Sequence, residues 1–182
     1  MTQLLPFVAG SALLLWLSRK PLRQPGSHGF YRFFAWECIL GLVVINRPVW
    51  GDDPYSPHQF ASWLLMLSSI GLVIAGLVAL RRHGGADRRR DDGSLYEWEK
   101  TGDLVTSGIY RWIRHPMYAS LLALTWGAFL QSPGLLGAAL AIVGSLCLLA
   151  TARSDERECL THFGPAYADY MRRSKRFLPY LF

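Results

Sequence analysis

Two uninterrupted apolar runs set the strongest limit on how this chain folds. Phe60–Leu80 holds 21 residues without a charge, and Pro133–Ala152 holds 20 more. An uncharged apolar run of about 18 residues or longer is long enough for a membrane-crossing helix. Three weaker runs join them. Leu4–Ser18 is apolar but short, Phe33–Trp50 is broken by Glu37, Asn46 and Arg47, and Met117–Gln131 holds 15 residues. Fifteen helical residues rise only ~22 Å, less than a hydrocarbon core of ~30 Å. Gln131-Ser132-Pro133-Gly134 supplies a tight turn, so the last two runs read as a helical hairpin. The expected fold is an all-α integral membrane protein of about five transmembrane helices, with cytoplasmic amphipathic helices. At 182 residues it forms one membrane domain. Residues 1–95 supply the first helices and a charged loop, and residues 96–182 supply the rest.

Charge placement tests that count. Charged residues make up only 18% of the chain, yet the net charge is +6. With connections on alternating sides, one side receives Arg19, Lys20, Arg23 and Arg32, the Arg81–Arg114 loop and the segment from Arg153. Of the 19 Lys and Arg residues, that side takes all but Arg47, which sits beside Asp52 and Asp53. The positive-inside rule then puts the N-terminus outside and the C-terminus in the cytoplasm, as expected for a bacterial inner membrane. The basic excess is explained by topology and by attraction to anionic lipid, with no need for nucleic acid. The first run lacks the basic n-region of a signal peptide.

Cys38, Cys147 and Cys159 offer no CxxC and no metal-ligand spacing, so unpaired thiols and no metal site are expected. No GxGxxG or GxxxxGK[ST] occurs. A nucleotide-like cofactor would therefore be held by loops against the membrane helices. Gly84–Gly93, rich in Gly and mixed charge, reads as a flexible solvated linker without a catalytic role.

The informative stretch runs from Thr101 to Tyr118. Pro116 disfavours helical geometry at His115 and suits the first position of a helix. His115 is thus expected at the mouth of the fourth helix, beside its positive dipole end. Arg111 and Arg114 add charge, and together they would suit a carboxylate or phosphate. Tyr110, Trp112 and Tyr118 add aromatic surface, which an interfacial belt would also supply. A second constellation follows the fifth run. Asp155 and Glu156 are expected just beyond the end of that helix, at the same mouth as His115. Gly164 ends one short helix and Pro165 starts the next, where Tyr167 and Tyr170 face the same way. A solvated amphipathic helix is the weaker account, because acidic residues beside a cytoplasmic membrane surface call for a cation partner. Both halves together complement S-adenosylmethionine. Its carboxylate suits the arginines, and its sulfonium and ammonium suit Asp155, Glu156 and tyrosine faces.

At these residues the chain resembles the isoprenylcysteine carboxyl methyltransferase family and its relatives, the phospholipid N-methyltransferases among them. Leu104–Tyr110 followed by Arg114-His115-Pro116-Met117-Tyr118 looks like the family's Arg-His-Pro-x-Tyr block. Asp155-Glu156, Phe163-Gly164, Tyr167, Tyr170 and Pro179 look like its C-terminal block, with Asp155 standing where a second Glu is usual. The resemblance covers about Tyr96 to Phe182. It implies an integral membrane enzyme using S-adenosylmethionine. By resemblance, the cofactor contacts are Gly102, Asp103, Leu104, Val105, Tyr110, Arg114, His115, Pro116, Met117, Tyr118, Asp155 and Glu156, and Arg153 is the substrate-side arginine. The same blocks, with the ending Phe177-Leu178-Pro179-Tyr180, also resemble the C-terminal part of NADPH-dependent sterol reductases. Reduction of a lipid double bond is therefore the alternative activity.

Methyl transfer needs mainly alignment of donor and acceptor and exclusion of water. A carboxylate or thiolate acceptor needs no base, whereas an amine must lose a proton, with help from Glu156 or Asp155. His115 is expected to orient the cofactor as a neutral ring, its pKa depressed by Arg111 and Arg114. The acceptor is expected to be lipid-like and to come from the bilayer. Glu37, an acid inside a membrane run, is a functional candidate on cost alone, with snorkelling to the interface as the plain alternative.

Overall fold

A computed structural model describes residues 3–85 and 103–180. Among the described residues six α-helices follow one another: α1 (Leu4–Leu17), α2 (His28–Asn46), α3 (Pro57–His83), α4 (Pro116–Leu130), α5 (Leu135–Phe163) and α6 (Pro165–Arg173). Short 3₁₀ turns lie at Pro21–Arg23, Arg47–Val49 and Gly108–Arg111. The segment His28–Val49 and the helices α3 and α5 are long and apolar enough to cross a membrane; α1 and α4 are apolar but shorter. Much of Gly84–Gly93, and Gly102 itself, lie outside the described residues.

The outward surface agrees with a membrane. Phe60, Leu64, Leu67, Ile70 and Ile74 of α3 are all exposed. So large an apolar face is unsuited to water and suited to lipid. The opposite face of α3 carries Gln59, Ser62, Met66, Ser69, Gly76 and Ala79, all buried, and α3 packs against α4 while α2 packs against α5. Small residues let the backbones approach. A Cβ added at Gly127 would lie 2.8 Å from Met66 Cγ and 3.1 Å from the Ser62 carbonyl. Buried side chains tie the same seam: Ser62 Oγ donates to the Gly127 carbonyl (2.6 Å) and Gln131 Nε2 donates to Ser62 Oγ (2.6 Å).

One boundary differs from expectation. Asp155 and Glu156 lie within α5, which runs unbroken from Leu135 to Phe163. No Gly or Pro stands between Gly144 and Gly164, so nothing stops the helix where the membrane run ends. Gly164 does stop it, at a φ of 57°, and Pro165 starts α6. Glu37, the intramembrane acid, accepts a hydrogen bond from Ser11 Oγ of α1 at 2.7 Å.

Candidate functional site

His115 caps the N-terminal end of α4, where Pro116 is the first helical residue. The loop before it is pinned by the C-terminal segment. Arg114 N donates to Lys175 O (2.7 Å), His115 N donates to Arg176 O (3.1 Å), and Lys175 N donates to Trp112 O (3.0 Å). These bonds form a short parallel pairing of Ile113 with Lys175. Tyr170 Oη reaches back to the Tyr110 carbonyl at 2.6 Å. The loop and α6 are thereby one unit, and the imidazole is held by its backbone as well as by its ring.

The ring lies between the two acids of α5, 3.4 Å from Asp155 through Nδ1 and 3.4 Å from Glu156 through Nε2. Tyr118 stacks on it with centroids 5.3 Å apart. Burial opposes a charge on this ring, but the hydrogen bonds and fields of the two carboxylates outweigh it, and the pKa of His115 is raised above its ordinary value. The expected depression is therefore corrected. The arginines meant to cause it face elsewhere. Arg111 is exposed and lies over Trp112 at 5.3 Å. Arg114 donates through Nε to Glu156 at 3.0 Å and through Nη1 to the carbonyls of Met171 and Ser174.

Glu156 is thus the hub of a buried ion cluster. Arg114 Nη2 lies 2.9 Å away and Arg176 Nη2 2.7 Å away. Two guanidinium groups and the imidazole surround one carboxylate. The expectation that Glu156 awaits a cationic ligand meets a group already neutralised by the protein. Arg176 carried no signal of its own in the sequence, lost in a basic run that topology already explained.

A cavity opens beside this cluster. Of the residues singled out in the sequence, Asp103, Leu104, Val105, Tyr110, Arg114, His115, Pro116, Met117, Tyr118 and Asp155 line it, together with Tyr167 and Tyr170. Glu156 and Arg153 do not, and Arg153 is exposed on α5. The two halves of the chain both contribute, since His28 and Leu80 also line the cavity. His28 was not foreseen; it is a single histidine at a helix start, with no motif around it. Asp155 is held from behind by His115 and by a hydrogen bond from Tyr118. Burial keeps the phenols of Tyr167 and Tyr170 protonated well beyond the usual tyrosine range.

The residues fit S-adenosylmethionine in kind. A carboxylate and several aromatic faces suit a sulfonium and an ammonium. The first turn of α4 supplies positive potential for a carboxylate. Leu104, Val105, Met117 and Phe163 give apolar walls.

The chain matches the phospholipid methyltransferase family over residues 58–165. It is 38% identical over 154 residues to the cobalt-zinc-cadmium resistance protein CzcN of Cupriavidus metallidurans, an alignment covering 83% of this chain and 65% of that protein. It is 29% identical over 129 residues to the protein-S-isoprenylcysteine O-methyltransferase of Tribolium castaneum, covering 63% of this chain and 42% of that one. It is 31% identical over 72 residues to the methanethiol S-methyltransferase of Mycobacterium tuberculosis, covering 40% and 29%. No solved structure matches it significantly. The match to the family extends over more than half of the sequence and takes in His115, Asp155 and Glu156, so the chain belongs to the phospholipid methyltransferase family of integral membrane methyltransferases.

Proposed function

We propose that the protein is an S-adenosylmethionine-dependent methyltransferase acting on a membrane-partitioned acceptor. The observation that carries this is the cavity that places Asp155, backed by His115 and Tyr118, among the rings of Tyr110, Tyr167 and Tyr170. The cofactor supplies a methyl group on a sulfonium, an excellent leaving group. The chain has to hold donor and acceptor in line and keep water out, and such positioning contributes up to ~7–11 kcal/mol. Asp155, which lines the cavity as Asp103 also does, pairs with the cationic end. The α4 mouth takes the carboxylate, and His115 holds Asp155 in place. Gly102 and Arg153 keep the cofactor and substrate-side roles that the family resemblance gives them. Glu156 acts through Arg114 and Arg176, fixing the loop rather than touching the ligand.

The family match favours methyl transfer over reduction. The relatives' names give oxygen acceptors in one case and sulfur in another, so a carboxylate, thiol or amine on an apolar chain is the acceptor class. The metal-resistance name belongs to its own protein. Among the described residues no group of three or more His, Cys, Asp or Glu side chains is placed to hold a metal ion. The charge distribution supports an N-terminus outside and a C-terminus in the cytoplasm of a bacterial inner membrane, with the cavity open to the cytoplasmic cofactor.

Calorimetry of the purified protein in lipid nanodiscs tests the reading. S-adenosylhomocysteine should bind the wild type, and Asp155→Asn should weaken it about tenfold or more, by the ~1.5–3 kcal/mol of a charge-assisted hydrogen bond. Binding of NADPH in its place would overturn the reading.

A further inference from the structure

We propose that a second concavity, which meets the Asp155 cavity only at Tyr170, binds the phosphate of an anionic lipid headgroup, and that this lipid clamps the C-terminal segment onto the loop before α4. Arg111, Arg173 and Lys175 line it, with Trp112 and Tyr180 as aromatic walls. Its volume is about 470 Å³, enough for a phosphate and the glycerol it esterifies. Tyr170 is the one residue it shares with the cavity that holds Asp155. The lipid it takes is a bound companion of the protein rather than the methyl acceptor.

Three cations gathered without an acid call for an anion. Arg111 lies over the Trp112 ring at 5.3 Å. Arg173 Nε donates to the Asp169 carbonyl at 3.4 Å, while the Asp169 carboxylate pairs with Arg172. Among the described residues no carboxylate lines the concavity or pairs with Arg111, Arg173 or Lys175. The backbone brings the cations together. Lys175 N donates to Trp112 O and Arg114 N donates to Lys175 O, so the chain next to Arg111 and the chain at Lys175 run side by side. Like charges facing each other across such a pairing oppose it. One phosphate bridging the two sides replaces that repulsion with charge-assisted hydrogen bonds, for which a guanidinium fork is well shaped.

The level of the site selects a lipid phosphate over a soluble one. The turn that carries Arg111 rests on the end of α3: a Cβ added at Gly108 would lie 3.3 Å from Ala79 Cβ. Ala79 is in the last turn of the apolar run, just before Arg81 and Arg82, where hydrocarbon gives way to headgroups. Trp112, Leu178 and Tyr180 are all exposed there, as aromatic and apolar side chains are at that boundary. Tyr180 holds a left-handed backbone with φ 67°, which is uncommon for a bulky residue, and its ring lies 5.5 Å from that of Trp112. Strain of this kind collects at ligand clamps. The same end of the molecule carries most of the basic residues, so anionic lipid is drawn to it.

The test uses the purified full chain in a neutral detergent, titrated with dioctanoyl phosphatidylglycerol, dioctanoyl phosphatidylcholine or inorganic phosphate. Native mass spectrometry reads binding, and the thermal midpoint reads the clamp. Phosphatidylglycerol should bind and raise the midpoint, and phosphatidylcholine, whose own cation offsets its phosphate, should do so more weakly. Combining Arg111→Gln, Arg173→Gln and Lys175→Gln should weaken phosphatidylglycerol binding about tenfold or more, the loss of at least one charge-assisted hydrogen bond. Combining Lys20→Gln, Arg23→Gln and Arg157→Gln removes the same charge from exposed residues outside the concavity. At physiological salt, where diffuse attraction is screened, that control should bind like the wild type. Should the first combination fold poorly, Arg111→Gln alone, at one exposed side chain, should still weaken binding. With phosphatidylglycerol bound, hydrogen exchange at the Arg114 and Lys175 amides should slow, because those N–H groups make the pairing. An equal effect from inorganic phosphate would make this a soluble-anion site. Equal binding of phosphatidylcholine, or equal loss in the two combinations, would reduce it to a general interfacial surface. Each of these outcomes overturns the inference, while S-adenosylhomocysteine binding, measured on the same samples, tests the methyl-transfer reading by itself.

Discussion

Arg-His-Pro lines a cavity, but the electrostatics around it differ from the expectation. A chain listing shows Arg114 beside His115 and invites the view that one raises the field at the other. The fold turns Arg114 toward Glu156 and leaves His115 between two acids. That partner choice is set by Arg176, 20 residues from Glu156, and by the pairing of Ile113 with Lys175, contacts that no local pattern encodes. Two predictions belong here. Glu156→Gln should destabilise the protein by about 3–5 kcal/mol, because it strands two arginines around a buried neutral group; a lowered thermal midpoint in detergent checks it. The second concerns pH. The raised pKa of His115 means the folded protein holds that proton more tightly than the unfolded chain does. Its contribution to stability is full below the unfolded value of ~6.5 and is lost as pH rises through the raised folded value. Thermal midpoints from about pH 6 to about pH 9, bracketing that ~6.5, should therefore fall toward the alkaline end, and His115→Gln should flatten that part of the slope.

At the scale of elements, length and charge told most of the story. The uncharged runs became α3 and α5, and the 15-residue run became the short α4. What could not be read was where α5 stops, because the eye follows polarity while the helix follows its breakers, and the first of those is Gly164. The start of α2 at His28 was hidden for a related reason, since Ser27 caps it ahead of the apolar run by accepting from Phe30 N at 3.2 Å. The α3–α4 seam was equally invisible, because Gly127 signals close approach only once its neighbour is known. Gly127→Leu should force α4 away from Ser62 and Met66 and break the Ser62–Gly127–Gln131 bonds. Overpacking of this kind costs about 1–3 kcal/mol. A lower melting temperature with cofactor affinity reduced in step would show that α4 carries the cavity rim; an unchanged melt would mean the seam yields without cost.

The whole molecule draws its cavity from both ends of the chain, so resemblance confined to the second half left its far wall, His28 and Leu80, out of view. Membrane orientation is the remaining property set at this scale, and it can be argued from charge alone. The basic side holds Arg19, Lys20 and Arg23 after α1, Arg81 and Arg82 at the end of α3, and every arginine and lysine from Arg153 onward. The turn between α2 and α3 carries Arg47 with Asp52 and Asp53. Lys and Arg in short loops are held on the cytoplasmic side, so the α2–α3 turn should face outward. The fold supplies two clean reporters: Tyr55 is 99% exposed in that turn, and Thr161 is exposed on the polar end of α5. In a chain with Cys38, Cys147 and Cys159 replaced by serine, Tyr55→Cys should react with a membrane-impermeant maleimide on intact cells. Thr161→Cys should react only after the cells are permeabilised. The reverse pattern would place the cavity mouth outside, away from any cytoplasmic methyl donor, and would count against the proposed activity as well as the topology.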